Sequence, residues 1–168
     1  MRFHGLVAAA VLIVLTGGIS RASDATVIER QGVHIDVPVR LSEARVVFNL
    51  DHLAFNGDQP IGLAFMNVMV EQFRSSPVKW QIIGIFHGPN GYMALDDTRY
   101  NEVRHWKHGN PYKDQIAALQ AAGVQIELCA ETMRLNGWRN ADVLPGVKVN
   151  GGANFRLIEL IQQGFIHP

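Results

Sequence analysis

A single thiol, Cys129, is present in 168 residues. It follows Val124-Gln125-Ile126-Glu127-Leu128 and precedes Ala130-Glu131-Thr132-Met133-Arg134-Leu135-Asn136-Gly137. That order predicts a strand, then the thiol, then a short helix closed by Gly137. A thiol at such a junction meets the positive end of a helix dipole and unpaired backbone N–H groups. Both favour the nucleophilic thiolate. The other reading of a free cysteine is a small buried hydrophobe. Glu131, two residues on, would oppose thiolate formation.

Further polar residues fall where predicted strands end. Asn49, Asp51 and His52 follow a first strand, His87 a second, Cys129 a third and Asn150-Gly151-Gly152 a fourth. In an open parallel sheet ligands bind beyond the carboxyl ends of the strands, so one edge collects all of them. His87 reads as a base or ion-pair partner for Cys129, or as a histidine satisfied by turn backbone. Asp51 reads as a turn or helix-cap residue. The two glycines let backbone approach a ligand and present N–H groups to an anion. His105 and His108 lack neighbouring carboxylates or cysteines and read as a solvated stretch rather than a metal pair. No metal and no cofactor is expected. Walker, Gly-x-Gly-x-x-Gly, Gly-x-Ser-x-Gly and Cys-x-x-Cys patterns are absent from the sequence.

The elements that must position these residues follow from periodicity. Ala44–Leu50 and Val78–Phe86 are apolar enough for strands covered on both faces. Between them Pro60 opens a helix to about Arg74, with Ile61, Phe65 and Val68 spaced as one inner face. Tyr92–Leu95 reads as a helical turn, and the polar segment 96–108 as partly helical. Asn110 and Pro111 start a helix to Ala122, with Tyr112, Ile116 and Leu119 inward. Val147–Asn150 is a fourth strand. Phe155–Gln163 is a last helix expected to bury Leu157, Ile158 and Ile161, and Phe165-Ile166 adds a final short strand. Strands alternating with helices predict a single α/β domain at 44–168, with a mainly parallel sheet of about five strands and helices on both faces. Residues 23–43 read as an N-terminal extension.

The first 22 residues read as an export leader. Arg2 is followed by an apolar run from Gly5 to Leu15 and by Ser20-Arg21-Ala22, a small-x-small cleavage pattern. The run is too short for a membrane anchor, which needs roughly 20 apolar residues. The expected location is the periplasm, with no membrane partner after cleavage. Without residues 1–22, which carry Arg2 and Arg21 and no acid, 13 basic residues face 15 acidic ones, a formal charge of −2. Such a surface gives no reason to expect nucleic acid. One cysteine in an exported chain has no internal disulfide partner. It pairs with another molecule, stays reduced by burial, or does chemistry.

Five segments in order resemble the DsrE/DsrF-like family: Val46-Val47-Phe48-Asn49-Leu50, Ile85-Phe86-His87-Gly88, Asn110-Pro111-Tyr112, Gly123 to Cys129, and Asp142-Val143-Leu144-Pro145-Gly146-Val147. The resemblance runs from about Ala44 to the C-terminus. It implies an α/β sandwich assembled into dimers, trimers or hexamers. It also implies a cysteine after a strand that carries sulfur as a persulfide between donor and acceptor proteins, at the position of Cys129. His87 matches the family's His-Gly turn. Relay members are cytoplasmic, whereas the leader here points to export, so cytoplasmic tRNA thiolation is not expected. Asn150-Gly151-Gly152 stands where relatives have a Pro-Ser-type turn. The function expected is periplasmic sulfur handling, with Cys129 as a persulfide-forming carrier or sulfurtransferase nucleophile. The alternative is a non-catalytic oligomeric module binding a metal, haem or small ligand at the sheet-edge pocket.

Overall fold

The computed structural model describes residues 29, 30 and 32–168. The leader expected at 1–22 lies outside them. The described residues fall into two units, those up to Arg40 and Leu41–Pro168. In the first, β1 (Glu29–Arg30) and β2 (Val33–His34) form an antiparallel pair.

The second unit is an α/β fold around a parallel sheet of four strands. They are β3 (Glu43–Leu50), β6 (Lys79–Phe86), β7 (Gln125–Cys129) and β8 (Lys148–Asn150), side by side in that order. Ile166 extends the sheet beyond β3 by a one-residue parallel bridge to Val46, where a final short strand was expected. A small hairpin of β4 (Phe55–Asn56) and β5 (Gln59–Pro60) occupies the predicted loop after β3.

Helices cover both faces. One face carries α1 (Ile61–Arg74) and α3 (Lys113–Ala121), whose apolar sides close the larger core over Val46, Phe48, Leu50, Ile82, Phe86, Ile126 and Leu128. The other carries α5 (Ala153–Gln162), over a smaller core of Val47, Ile83, Ile85 and Cys129. Strand alternation explains the division, because residues two apart share a face. Each large side chain removed from water contributes about 1.5–3 kcal/mol.

The polar segment 96–108 is ordered by a cap. Asp96 accepts a hydrogen bond from the Arg99 amide at 2.7 Å and starts α2 (Asp97–Arg104). A 3-10 helix over Gly88–Ala94 replaces the expected turn and helical turn there. The regular helix starts at Lys113, two residues after Pro111, but Asn110 makes the capping contact expected of it and uses its amide nitrogen as well. Its Oδ1 accepts from the Tyr112 amide at 2.9 Å, and its Nδ2 donates to the carbonyls of Met93 and Leu95 at 2.8 and 2.7 Å.

Two expected inner faces are corrected. In α1 the buried stripe is Leu63, Met66, Val70 and Phe73, while Phe65 and Val68 are 60 % and 50 % exposed. In α5 Ala153 and Leu160 are buried and Leu157 packs beside them, while Ile158 and Ile161 are exposed. Both helices carry apolar residues on two sides. Periodicity alone then fails to tell the side facing the sheet from the side left outward.

Candidate functional site

The sheet register brings the predicted edge together. Leu50 pairs with Phe86, Phe86 with Leu128, and Leu128 with Val149. The next residues, Asp51, His87, Cys129 and Asn150, therefore stand side by side at the carboxyl edge. They share the face covered by α5 with Asn49 and Glu127, two residues earlier.

Cys129 ends β7 and is the N-cap of α4 (Ala130–Asn136). It is 4 % exposed. Its Sγ accepts the backbone N–H of Ala153, the first residue of α5, at 3.3 Å. Burial pushes the thiol up. The backbone amides of Thr132, Ala153 and Glu131 and the Thr132 hydroxyl outweigh it, and Cys129 lies below the ordinary thiol value. Two helix starts thus point N–H groups at one sulfur. Glu131 works the other way from the sequence expectation. Its carboxylate binds Arg134 on the outer side of α4, at 2.9 Å to Nε, while its amide serves the sulfur.

Thr132 was not legible in the sequence as a site residue. It is buried, and its Oγ1 accepts the Gly88 amide at 2.9 Å. The His-Gly turn therefore reaches Cys129 through Gly88 and Thr132. Gly88 has φ +52, and a side chain there would press on the Asp51 carbonyl at 3.3 Å.

His87 pairs with Asn49 rather than with the thiol. Its Nε2 lies 2.6 Å from Asn49 Oδ1, and Asn49 Nδ2 donates to Asp51 Oδ2 at 3.2 Å. With that amide orientation, Nε2 is the protonated nitrogen of a neutral ring. Burial holds the imidazole below its usual pKa, and the Asp51 carboxylate only partly offsets this. Asp51 Oδ1 in turn meets His52 Nδ1 at 2.5 Å. That contact is the first reason the Asp51 carboxyl lies below its usual value.

Asn150 acts as a bracket. Its Oδ1 accepts the Gly152 amide at 3.1 Å, and its Nδ2 donates to Glu127 Oε2 at 3.0 Å. Gly152 is the N-cap of α5, with φ +146, a conformation open to glycine. Gly151 is exposed. Glu127 is 1 % exposed and is held by Arg156 Nε at 3.1 Å, Arg156 Nη2 at 3.0 Å and Gln125 Nε2 at 2.6 Å. Burial pushes its carboxyl up, yet these donors win and leave it below the usual carboxylate value. A lone acid within an apolar strand was the available signal for this network.

A separate cavity of about 370 Å³ lies along α1. Asn49 and His52 line it with Ile61, Phe65, Val68 and Gln72, whereas Asp51, Cys129, Asn150, Gly151 and Gly152 do not. The expected edge residues thus divide between the surroundings of Cys129 and this cavity, with Asn49 bonded to His87 and also lining the cavity. No group of three or more His, Cys, Asp or Glu residues that could hold a metal ion occurs among the described residues. His108 packs edge-on against Trp106, with ring centroids 5.0 Å apart.

The DsrE/DsrF-like family model matches residues 40–167. Among solved structures, the protein of unknown function MTH1491 from Methanobacterium thermoautotrophicum is similar, with a TM-score of 0.57 and 19 % identity over 74 % of this chain and 99 % of that one. That likeness is one of fold. No curated protein matches the chain.

Proposed function

Since this chain belongs to the DsrE/DsrF-like family, we propose that it handles sulfane sulfur, with Cys129 as acceptor and carrier. The observation that supports this most is the convergence of amides from two helix starts on the one thiol, which holds it below the ordinary value. The thiolate attacks the outer sulfur of a persulfide or polysulfide donor. One S–S bond forms as the donor's S–S bond breaks, the donor leaves as a thiolate, and Cys129 becomes a persulfide anion. There is no net oxidation. An acceptor thiolate then takes the outer sulfur and releases the Cys129 thiolate. With Cys129 only 4 % exposed, the site suits a thin polysulfide donor better than a bulky one. His87 stands one strand away on the same edge, and its Nδ1 is the basic nitrogen available to the incoming thiol proton.

The leader at residues 1–22 directs the protein to the periplasm in this reading. Expression of the whole reading frame in a bacterial host, followed by intact mass before and after polysulfide, tests both points. We expect a periplasmic chain lacking residues 1–22 that gains the mass of sulfur, and a Cys129→Ser variant that gains none. Sulfur retained by that variant overturns the reading, and a full-length product removes the export claim. Among the described residues no helix is long and apolar enough to cross a membrane.

The same reading includes self-assembly. Phe155, Ile158 and Ile161 on α5 are 80 %, 55 % and 55 % exposed, an apolar strip of the kind interfaces cover. Phe155→Glu is expected to weaken association about 100-fold, since one buried phenyl contributes about 2–3 kcal/mol. Sedimentation of wild type and variant reads this, and a wild-type monomer at micromolar concentration rules it out.

The α1 cavity favours a second reading, a non-catalytic binding module. Apart from His52 no acidic or basic side chain lines it and most of the lining is apolar, so its ligand would be a largely apolar small molecule. Thiol labelling in the native fold separates the two, because an inert Cys129 leaves only the cavity.

A further inference from the structure

We infer that Glu127 is the positioning residue of the Cys129 thiol, drawing the first turn of α5 onto the sheet and setting the local charge that the sulfur faces. The inference rests on the reading of Cys129 as the reacting group. Glu127 and Cys129 lie two residues apart on one face of β7, about 7 Å along the strand. The carboxylate has two connections to α5. Asn150 bonds Glu127 at 3.0 Å and holds the Gly152 amide at 3.1 Å. Arg156, one turn into α5, binds Glu127 through Nε and Nη2 at 3.0–3.1 Å. Between these two anchors sits Ala153, whose amide reaches Sγ at 3.3 Å. At this end of α5 the anchors are the polar contacts that, beside the Ala153 amide itself, set the height of the helix over the sulfur, because apolar contacts alone tolerate sliding.

Charge matters as much as placement. The Glu127–Arg156 pair is neutral as a unit, so it costs the thiolate little. The other charged or titratable groups around Cys129 are Asp51 just beyond β3, paired with His52, His87 just beyond β6, Lys148 on β8, Glu131 and Arg134 on α4, and Glu159 on α5. His87 is held neutral by burial. Glu131 and Glu159 are exposed and paired, with Arg134 and Arg156. Lys148 Nζ donates to Gln125 Oε1 at 2.7 Å. Breaking the buried pair therefore changes the field at the sulfur more than altering any exposed group does.

The two halves of the pair predict opposite results. Arg156→Gln leaves a buried carboxylate beside the sulfur and raises the thiol pKa by about one unit or more. Glu127→Gln leaves the guanidinium unbalanced and lowers it. The double variant Glu127→Gln/Arg156→Gln returns close to wild type. Glutamine at either position keeps a neutral hydrogen-bonding anchor to α5, so these variants preserve the placement and test the charge, whereas a merely structural staple that needs the ion pair loosens α5 in every variant and shifts all three upward together. Thiolate ultraviolet absorbance against pH, with the Cys129→Ser signal subtracted, reads the single thiol of the full chain without requiring reagent access. Opposite shifts with restoration in the double variant support the inference; shifts of one sign, or none, overturn it. If Arg156→Gln does not fold, the direction of the Glu127→Gln shift and retention of the wild-type titration by Arg156→Lys decide the matter. Sulfur uptake measured in parallel keeps the two readings apart. A wild type that takes up no sulfur defeats the carrier function, while the titrations still judge the role of Glu127.

Discussion

Arg156→Leu lowers the stability of the fold by about 3 kcal/mol near neutral pH. Removing one partner of a buried ion pair leaves an uncompensated charge, which typically costs about 3–5 kcal/mol. The lower end applies here, because the Arg156 side chain is 22 % exposed and Asn150 and Gln125 still donate to the carboxylate. The pH dependence checks the cause. In the wild type the Glu127 carboxyl is held below its usual value. Its stabilisation is therefore present above the unfolded carboxylate pKa, about 4.3, and is lost as pH falls through the lower folded value. In the variant burial acts on Glu127 with less opposition, and its folded pKa rises above the unfolded one. The resulting destabilisation is full at neutral pH and fades as acid protonates the group. Urea unfolding of both proteins at about pH 7 and about pH 4.5 should show the gap narrowing with acid. A gap that stays constant would mean lost packing along the arginine stem rather than an unpaired buried charge.

Ala153→Pro raises the Cys129 pKa by about one unit and slows its alkylation and sulfur uptake about threefold at neutral pH. Ala153 is the first residue of α5, where proline is well tolerated because that N–H makes no intrahelical bond. The substitution therefore deletes one specific contact, the N–H to Sγ at 3.3 Å. A hydrogen bond to a charged acceptor is worth about 1.5–3 kcal/mol, and one pKa unit corresponds to about 1.4 kcal/mol. A raised pKa leaves a smaller thiolate fraction at neutral pH, and this loss outweighs the gain in intrinsic nucleophilicity. Alkylation rate against pH measures the shift, and an unchanged thermal midpoint shows that the helix survived. An unmoved profile would assign the low thiol value to the α4 side alone, where Thr132 and Glu131 supply the other amides.

The legible and illegible parts of this molecule divide by range of interaction. Strand termini were readable to within a residue for β3 and β6, since apolar runs covered on both faces leave a contiguous signal. The thiol's place at the end of a strand and the start of a helix was equally readable, and the register then aligned Asp51, His87, Cys129 and Asn150. The inner faces of α1 and α5 were not. Each helix has two apolar stripes, and only the partner surface selects Leu63 and Leu160 over Phe65 and Ile158. The partner of His87 was likewise hidden, because Asn49 lies 38 residues away and two geometries were equally allowed by composition.

By itself the sequence determined that strands and helices alternate and that one thiol closes a strand, because local periodicity and chain connectivity suffice for both. Only the tertiary structure decided that Glu127 is buried against Arg156, that Thr132 and Ala153 serve the sulfur, and that the cavity opens on the α1 side. Those outcomes depend on contacts between residues far apart in the chain. A buried charge becomes favourable only once its distant partner has been brought within hydrogen-bond reach.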